Sequence, residues 1–250
     1  MAFLPCSVSL AFKLGVAMST RVIRVALLGA ESTGKTSLSQ YITEALLAQG
    51  QMATYVPEVL REWCQMYGRT PAFHEQRHIA QQQAERIFSI QEGWVIADTT
   101  PLMTAVYSDY VFKDLSLYQE ALGLQAQFDL TLVMGLDVAW MPDGLQRDGE
   151  HVREPVDNLI RQAMSKSQLP FKVIYGQGEA RLSAALLAIS QGVSNLNEPL
   201  HLKFSVPSLQ PTQVQREVSQ YGLNQGKTAW RCDLCSDAEC EHRLFSDLLK

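Results

Sequence analysis

Gly29-Ala30-Glu31-Ser32-Thr33-Gly34-Lys35-Thr36 reads G-x-x-x-x-G-K-T, a spacing that suits a backbone wrapped around phosphate. Glycines let such a loop curl until several N–H groups point inward at phosphate oxygens, and the positive end of a following helix adds to the attraction. Lys35 is placed to reach the β- and γ-phosphates, and the Thr36 hydroxyl to ligate Mg²⁺. The nucleotide-binding candidates are Gly29, Glu31, Ser32, Thr33, Gly34, Lys35, Thr36 and Ser37.

Three further groups of residues could act beside this loop. Glu58 and Arg61 are three apart, a separation that puts both side chains on one face of a helix or turn. Glu58 could accept a proton from a substrate hydroxyl, and Arg61 could hold a phosphate or the Glu58 carboxylate itself. A surface ion pair of little consequence is the plainer reading. Asp98 ends the apolar run Trp94-Val95-Ile96-Ala97, as an acid that holds Mg²⁺ directly or through water would do; a helix N-cap is the alternative. The polar stretch from Trp140 to Arg153 carries Arg147 and Arg153. A closing loop of this kind brings positive charge to a transferring phosphoryl group and excludes water, although solvated loop charges would look the same.

These residues need a scaffold, and the chain spells one. Residues 22–28 form a nearly continuous apolar segment of strand length ahead of the loop. Leu38, Ile42, Ala45 and Leu46 then recur at helical spacing up to Gly50. Further strands are expected at 52–56, 94–97, 130–134 and 171–175. Helices are expected at 73–90, 101–126 with a break near Lys113-Asp114, 155–166 and 180–189. Alternating strands and helices predict βαβ units in a parallel sheet, with the loops at the strand C-terminal ends gathered on one rim. The phosphate loop is already there.

Composition narrows the partners. At 250 residues, with 46% hydrophobic residues and a net charge of −5, the chain is neither disordered by composition nor broadly basic. No apolar run approaches the roughly 20 residues of a membrane span, so no membrane partner is expected. Lys13 interrupts the apolar segment at 1–16, no basic region precedes it, and a signal peptide is not expected. Met18 directly precedes Ser19-Thr20-Arg21 and the first strand, so residues 1–19 read as an upstream start or a tail. Five unevenly spaced cysteines do not make a secreted disulfide framework, and a reducing cytoplasm is the simpler location. Cys6 and Cys64 read as ordinary thiols.

The C-terminal third changes character. Residues 193–228 are rich in Asn, Gln, Pro and Ser and read as a linker or arm, with an edge strand conceivable at 200–204. Residues 229–250 contain Cys232, Cys235, Cys240 and His242, spaced C-x₂-C-x₄-C-x-H, a candidate structural Zn²⁺ set for a small Cys/His module. The single residue between Cys240 and His242 is tight for one ion. A ligand from elsewhere, or a cluster without metal, is the competing account.

Taken in order, the Gly-Ala-Glu-Ser-Thr-Gly-Lys-Thr loop, Pro57-Glu58-x-x-Arg61-Glu62, Ile96-Ala97-Asp98-Thr99, Asp129-Leu130 and Trp140-Met141-Pro142-Asp143-Gly144-Leu145 resemble a known family. It is the ribosylnicotinamide kinase domain of the bacterial multifunctional NAD-biosynthesis regulator, with its stand-alone AAA-type relatives. The resemblance covers residues 20–192 or nearly so. It implies a P-loop NTPase fold, three layers α/β/α, with a five-stranded parallel sheet ordered 2-3-1-4-5. It also implies Mg²⁺- and ATP-dependent phosphorylation of the 5′-hydroxyl of nicotinamide riboside. By the same resemblance Glu58 and Arg61 fall on the nucleoside side and Arg147 in the lid, and Trp140 matches an aromatic near the base, where a pyridinium would stack. Thr100 stands where that pattern leads one to expect a second acid. The short stretch ahead of the loop carries the further expectation that the regulator's DNA-binding and adenylyltransferase domains, and their repressor and NAD-making activities, are missing.

Two functions therefore stand side by side. In the first, a small-molecule kinase uses Lys35, Glu58, Asp98 and Arg147 in catalysis, with Thr36 and Asp98 on Mg²⁺ and Glu58, Arg61 and Trp140 on the nucleoside. In the second, a nucleotide-controlled switch or ATPase engages a protein or nucleic acid through its C-terminal metal module. Glu58 and Arg61 favour the first, because a switch needs no base on an acceptor side. The Cys/His cluster favours the second, because a metabolic kinase does not need one. Oligomeric state is open.

Overall fold

A computed structural model describes residues 21–139 and 150–194. Five strands, β1 (Ile23–Leu28), β2 (Ala53–Val56), β3 (Trp94–Asp98), β4 (Leu130–Met134) and β5 (Lys172–Ile174), make one sheet. Its order is β2-β3-β1-β4-β5 and every pairing is parallel, as the resemblance implied. The helices are α1 (Lys35–Ala48), α2 (Val59–Tyr67), α3 (Gln76–Phe88), α4 (Pro101–Phe112), α5 (Tyr118–Gln125), α6 (Arg153–Lys166) and α7 (Gly178–Ser194).

A parallel strand covered on both faces must be apolar at successive positions rather than at alternate ones, which is why β1 reads as a run. Val25 and Leu27 turn to the face covered by α1 and α7, where they meet Ile42, Leu46, Leu182 and Ile189. Leu28 and Val133 turn to the opposite face, beneath Leu60, Ile79, Leu102, Val106 and Ile160 from α2, α3, α4 and α6. The result is three layers, α/β/α. Helix α4 lies between its neighbours, so residues 101–108 are buried all the way round.

Several boundaries differ from the sequence expectation, each for a local reason. The segment at 73–75 is a 3₁₀ turn ahead of α3, held where the Glu75 carboxylate accepts from Ala72 N–H at 2.7 Å. Helix α4 stops at the expected break, because Lys113 adopts a left-handed conformation at φ 60°. Helix α7 runs on to Ser194, past the expected 189, since Val193 continues the buried stripe of Leu182, Leu186 and Ile189. Cys64 is a buried free thiol. Among the described residues, no helix is long and apolar enough to cross a membrane.

Thr100 has a structural task that explains the missing acid. Its hydroxyl accepts from Leu102 N–H at 3.3 Å, capping α4, and donates to Gln125 Oε1 at 2.7 Å. Gln125 Nε2 then donates to the Thr131 hydroxyl at 2.9 Å, so three buried polar side chains pin the ends of β3, α5 and β4 together. An acid at position 100 would place an unpaired charge in this dry relay. Gln125→Ala strips both hydroxyls of a partner, at about 1–3 kcal/mol for each buried group left unsatisfied. The expected loss is about 2–4 kcal/mol in urea-induced unfolding; a loss below about 1 kcal/mol would show that the relay is not structural.

Candidate functional site

Strand β1 is flanked by β3 and β4, whose connections leave to different sides, so a crevice opens beyond its C-terminal end. The register sets the depth of that crevice. Leu27 lies level with Asp98 on β3, and Leu28 level with Val133 on β4. The loop from Gly29 to Gly34 therefore begins two residues beyond the level of Asp98. Gly29 is required by close approach, because a Cβ there would sit 2.8 Å from Met134 Cβ and 3.0 Å from Thr33 Oγ1. Gly34 is required by conformation: it caps α1 at φ 77°, in the left-handed region.

Within the loop, Thr33 Oγ1 donates to Ala30 O at 2.6 Å and Lys35 Nζ donates to the same carbonyl at 3.0 Å. Lys35, buried, is thus folded back over the loop. Glu31, Thr33 and Thr36 are buried, Ser32 and Ser37 are half-buried and Gly34 is exposed.

Asp98, Glu58, Arg61 and Thr36, named from sequence, come together around one guanidinium. Arg61 NH2 donates to Glu58 Oε2 at 2.9 Å, and Arg61 NH1 donates to Thr36 Oγ1 at 3.3 Å. The same NH1 lies 3.8 Å from Asp98 Oδ2. Glu58 is the N-cap residue of α2, where β2 gives way to helix. Glu58 is buried and Arg61 half-buried, so the pair is not a solvated surface ion pair. Asp98 is the last residue of β3 and is not a helix cap, a task that Thr100 takes.

The sequence reading missed several contributors. Tyr55 on β2 donates its hydroxyl to Asp98 Oδ2 at 3.2 Å. Burial, then the charge and hydrogen bond of Asp98, push the Tyr55 pKa well above its ordinary value, so the phenol stays a donor. Gln83 on α3 accepts from Val59 N–H at 2.8 Å and donates to Pro57 O at 3.3 Å, clamping the corner that carries Glu58. Thr99 is held at φ 78°, unusual for a β-branched residue, directly after Asp98.

Two buried arginines complete the rim. Arg181, near the start of α7, donates from NH2 to Gly135 O at 3.3 Å and Ile174 O at 3.4 Å, at the ends of β4 and β5. Its NH1 is 3.8 Å from where a Cβ on Gly34 would be, so it borders the phosphate loop. Burial lowers its pKa; Asp137 opposes that shift and the like charge of Arg153 adds to it. Arg153, the first residue of α6, donates to Val138 O at 3.0 Å. A lone arginine beside Leu182, Ala185 and Leu186 in an otherwise apolar helix face was the signal available for Arg181. Asp129, part of the sequence resemblance, sits at the opposite end of the sheet, where its carboxylate accepts from Arg24 N–H at 2.8 Å.

The donor set suits a hard cation. Asp98 is fully buried and its Oδ1 has no hydrogen-bond partner, and neither has the buried Thr99 hydroxyl. The Asp98 carboxylate and the Thr36 hydroxyl, which meet at the same Arg61 nitrogen, are of the kind and number of protein ligands that Mg²⁺ takes beside phosphate. Among the described residues no three His, Cys, Asp or Glu side chains form a metal cluster. Trp140, Arg147, Cys232, Cys235, Cys240 and His242 lie outside the described residues.

Known proteins agree with this architecture. The NadR protein solved in complex with NR superposes with a TM-score of 0.56 at 19% identity, over 69% of this chain and 52% of that one. This chain thus spans about half the length of that relative. A thymidylate kinase from Ehrlichia chaffeensis superposes with a TM-score of 0.50 at 18% identity, over 68% of this chain and 98% of that one. Identities at this level establish a shared fold. No curated protein sequence matches the chain. The AAA domain family matches residues 24–181, which include the phosphate loop, Glu58, Arg61, Asp98 and Arg181, and the chain belongs to that family.

Proposed function

We propose that this protein is a P-loop kinase that transfers the γ-phosphoryl group of ATP to the hydroxyl of a small nucleoside, with the 5′-hydroxyl of nicotinamide riboside as first candidate. One observation carries the reading. The Glu58 carboxylate and the Thr36 hydroxyl of the phosphate loop are bridged by a single arginine, so a proton acceptor lies beside the nucleotide site. A switch that only binds nucleotide needs no base on the acceptor side, whereas transfer to a hydroxyl does. The NadR protein that shares this fold was solved with NR (nicotinamide riboside), which supports the choice of acceptor.

The chemistry follows from positions and charges. Backbone N–H groups of residues 30–36, at the positive end of α1, would cradle the β-phosphate. Lys35 would exchange its bond to Ala30 O for the β- and γ-phosphate oxygens. Mg²⁺ held by Thr36 and Asp98 would neutralise charge on the same two phosphates. The acceptor oxygen attacks the γ-phosphorus, its proton passes to Glu58, and the bond to the β-phosphate oxygen breaks to release ADP. Arg181, beside Gly34, would add positive charge along the polyphosphate, and Arg147 would bring more from the 140–153 stretch. Trp140 would stack on the base. Tyr55 orients Asp98 and leaves its second oxygen available. Zinc held by Cys232, Cys235, Cys240 and His242 is a separate proposal for the C-terminal segment, tested by metal analysis of the purified chain with Cys235→Ser as control.

Coupled measurement of ADP release, with and without nicotinamide riboside and a small nucleoside panel, tests this reading. Acceptor-dependent turnover is expected, falling about 10²-fold or more in kcat for Glu58→Gln, the scale of a lost general base. Equal ADP release with and without every nucleoside would reject the kinase and favour the ATPase or switch. Tyr55→Phe keeps the ring and removes the donor to Asp98. It is expected to raise the Mg²⁺ concentration for half-maximal turnover about tenfold, the effect of losing a group that orients a ligand, and to leave the acceptor KM unchanged. An unaltered Mg²⁺ requirement would remove Tyr55 from the account.

A further inference from the structure

The Arg61 guanidinium touches the two oxygen groups that fit Mg²⁺. Its NH1 is 3.3 Å from Thr36 Oγ1 and 3.8 Å from Asp98 Oδ2, while its NH2 is 2.9 Å from Glu58 Oε2. Both carboxylates are buried, Asp98 at 0% and Glu58 at 7% exposure. Two buried carboxylates this close to one another require a cation between them. Arginine is always charged and presents several donors in one plane, so it can serve both acids and a hydroxyl at once.

We propose that Arg61 is the resting occupant of the cation position between Thr36 and Asp98, and that it must leave before Mg²⁺ can bind beside the nucleotide, giving up its bond to Glu58 as it goes. A guanidinium and a divalent cation repel each other and compete for the same lone pairs, so they do not share Thr36 Oγ1. Arg61 is in the first turn of α2, on a long side chain, and can swing without moving the helix. Its departure also breaks the bond to Glu58 Oε2, so the metal and the proton acceptor are linked through one side chain. Loading of the metal and loss of the Arg61–Glu58 bond thus become one event. Without metal, Arg61 stays on the proton acceptor.

Arg61 is in this sense a positioning residue. Its role at Glu58 rests on the kinase reading above, whereas its exchange with the metal does not. The test therefore uses ADP with no acceptor, so that a failure here is distinct from absent nucleoside-dependent turnover. The quantity is the factor by which Mg²⁺ tightens ADP binding, measured by calorimetry in Mg²⁺ and in EDTA. If Arg61 competes with the metal, Arg61→Ala increases that factor about tenfold, within the usual range of coupling between two sites, and Arg61→Lys gives an intermediate value. An equal or smaller factor in Arg61→Ala overturns the proposal. A structural role alone would change ADP affinity equally in both media. Should Arg61→Ala fail to fold, the wild-type chain decides. The Arg61 Nε–H resonance, assigned by its loss in Arg61→Lys, shifts when Mg²⁺ is added to the ADP complex if the exchange occurs. A resonance that stays in place through Mg²⁺ saturation overturns it.

Discussion

Everything at this site depends on a turn forced at the end of β1. The strand leaves the sheet between two neighbours and must enter a helix within a few residues, in a space that Met134 and Thr33 leave too narrow for a side chain at Gly29. The tight turn points backbone donors into the crevice and sets the start of α1 beneath them. Side chains from β2, β3 and α7 can reach that point because a parallel sheet delivers all its strand ends to one rim. The fold makes a cradle for an anion before any catalytic group is considered.

Charge then organises what surrounds the cradle. Lys35, Arg153 and Arg181 are buried and each donates to carbonyl oxygens, with Asp137 3.9 Å from Arg181 as a counter-charge. Burying positive charge largely against neutral dipoles is a weak arrangement, and it becomes a stronger one when a polyphosphate adds negative charge. The acidic side of the crevice is the mirror case. Asp98 and Glu58 share the guanidinium of Arg61, with one oxygen of Asp98 left unpartnered. Both halves are poised for an ionic ligand that carries phosphate and metal together.

The parts of this site legible in the sequence were those encoded by neighbours along the chain. Gly29 to Thr36 announced itself through spacing, Asp98 through an apolar run that ends in an acid, and Glu58 with Arg61 through a three-residue offset. Strand order was implied by resemblance, since hydrophobic runs state which segments are strands and not which lie side by side. Tyr55 and Gln83 left no such mark. Tyr55 meets Asp98 across 43 positions and Gln83 meets Val59 across 24, so their roles exist only once β2, β3 and α3 are packed. Thr100 was legible as a departure, yet its reason, a relay through Gln125 to Thr131, is again tertiary. Helix ends shifted where a side-chain cap or one more buried valine outweighed the local pattern, whereas the left-handed Lys113 ends α4 at the expected break.

The central claim is that the loop at residues 30–36 holds a nucleoside triphosphate by its phosphates, and calorimetric titration of ATP into the wild-type chain and Lys35→Ala tests it most directly. The account predicts measurable binding by the wild-type chain and a loss of at least about tenfold in affinity for the variant, the scale of a charged hydrogen bond to phosphate. Equal affinity in the two proteins, with both folded, would contradict it.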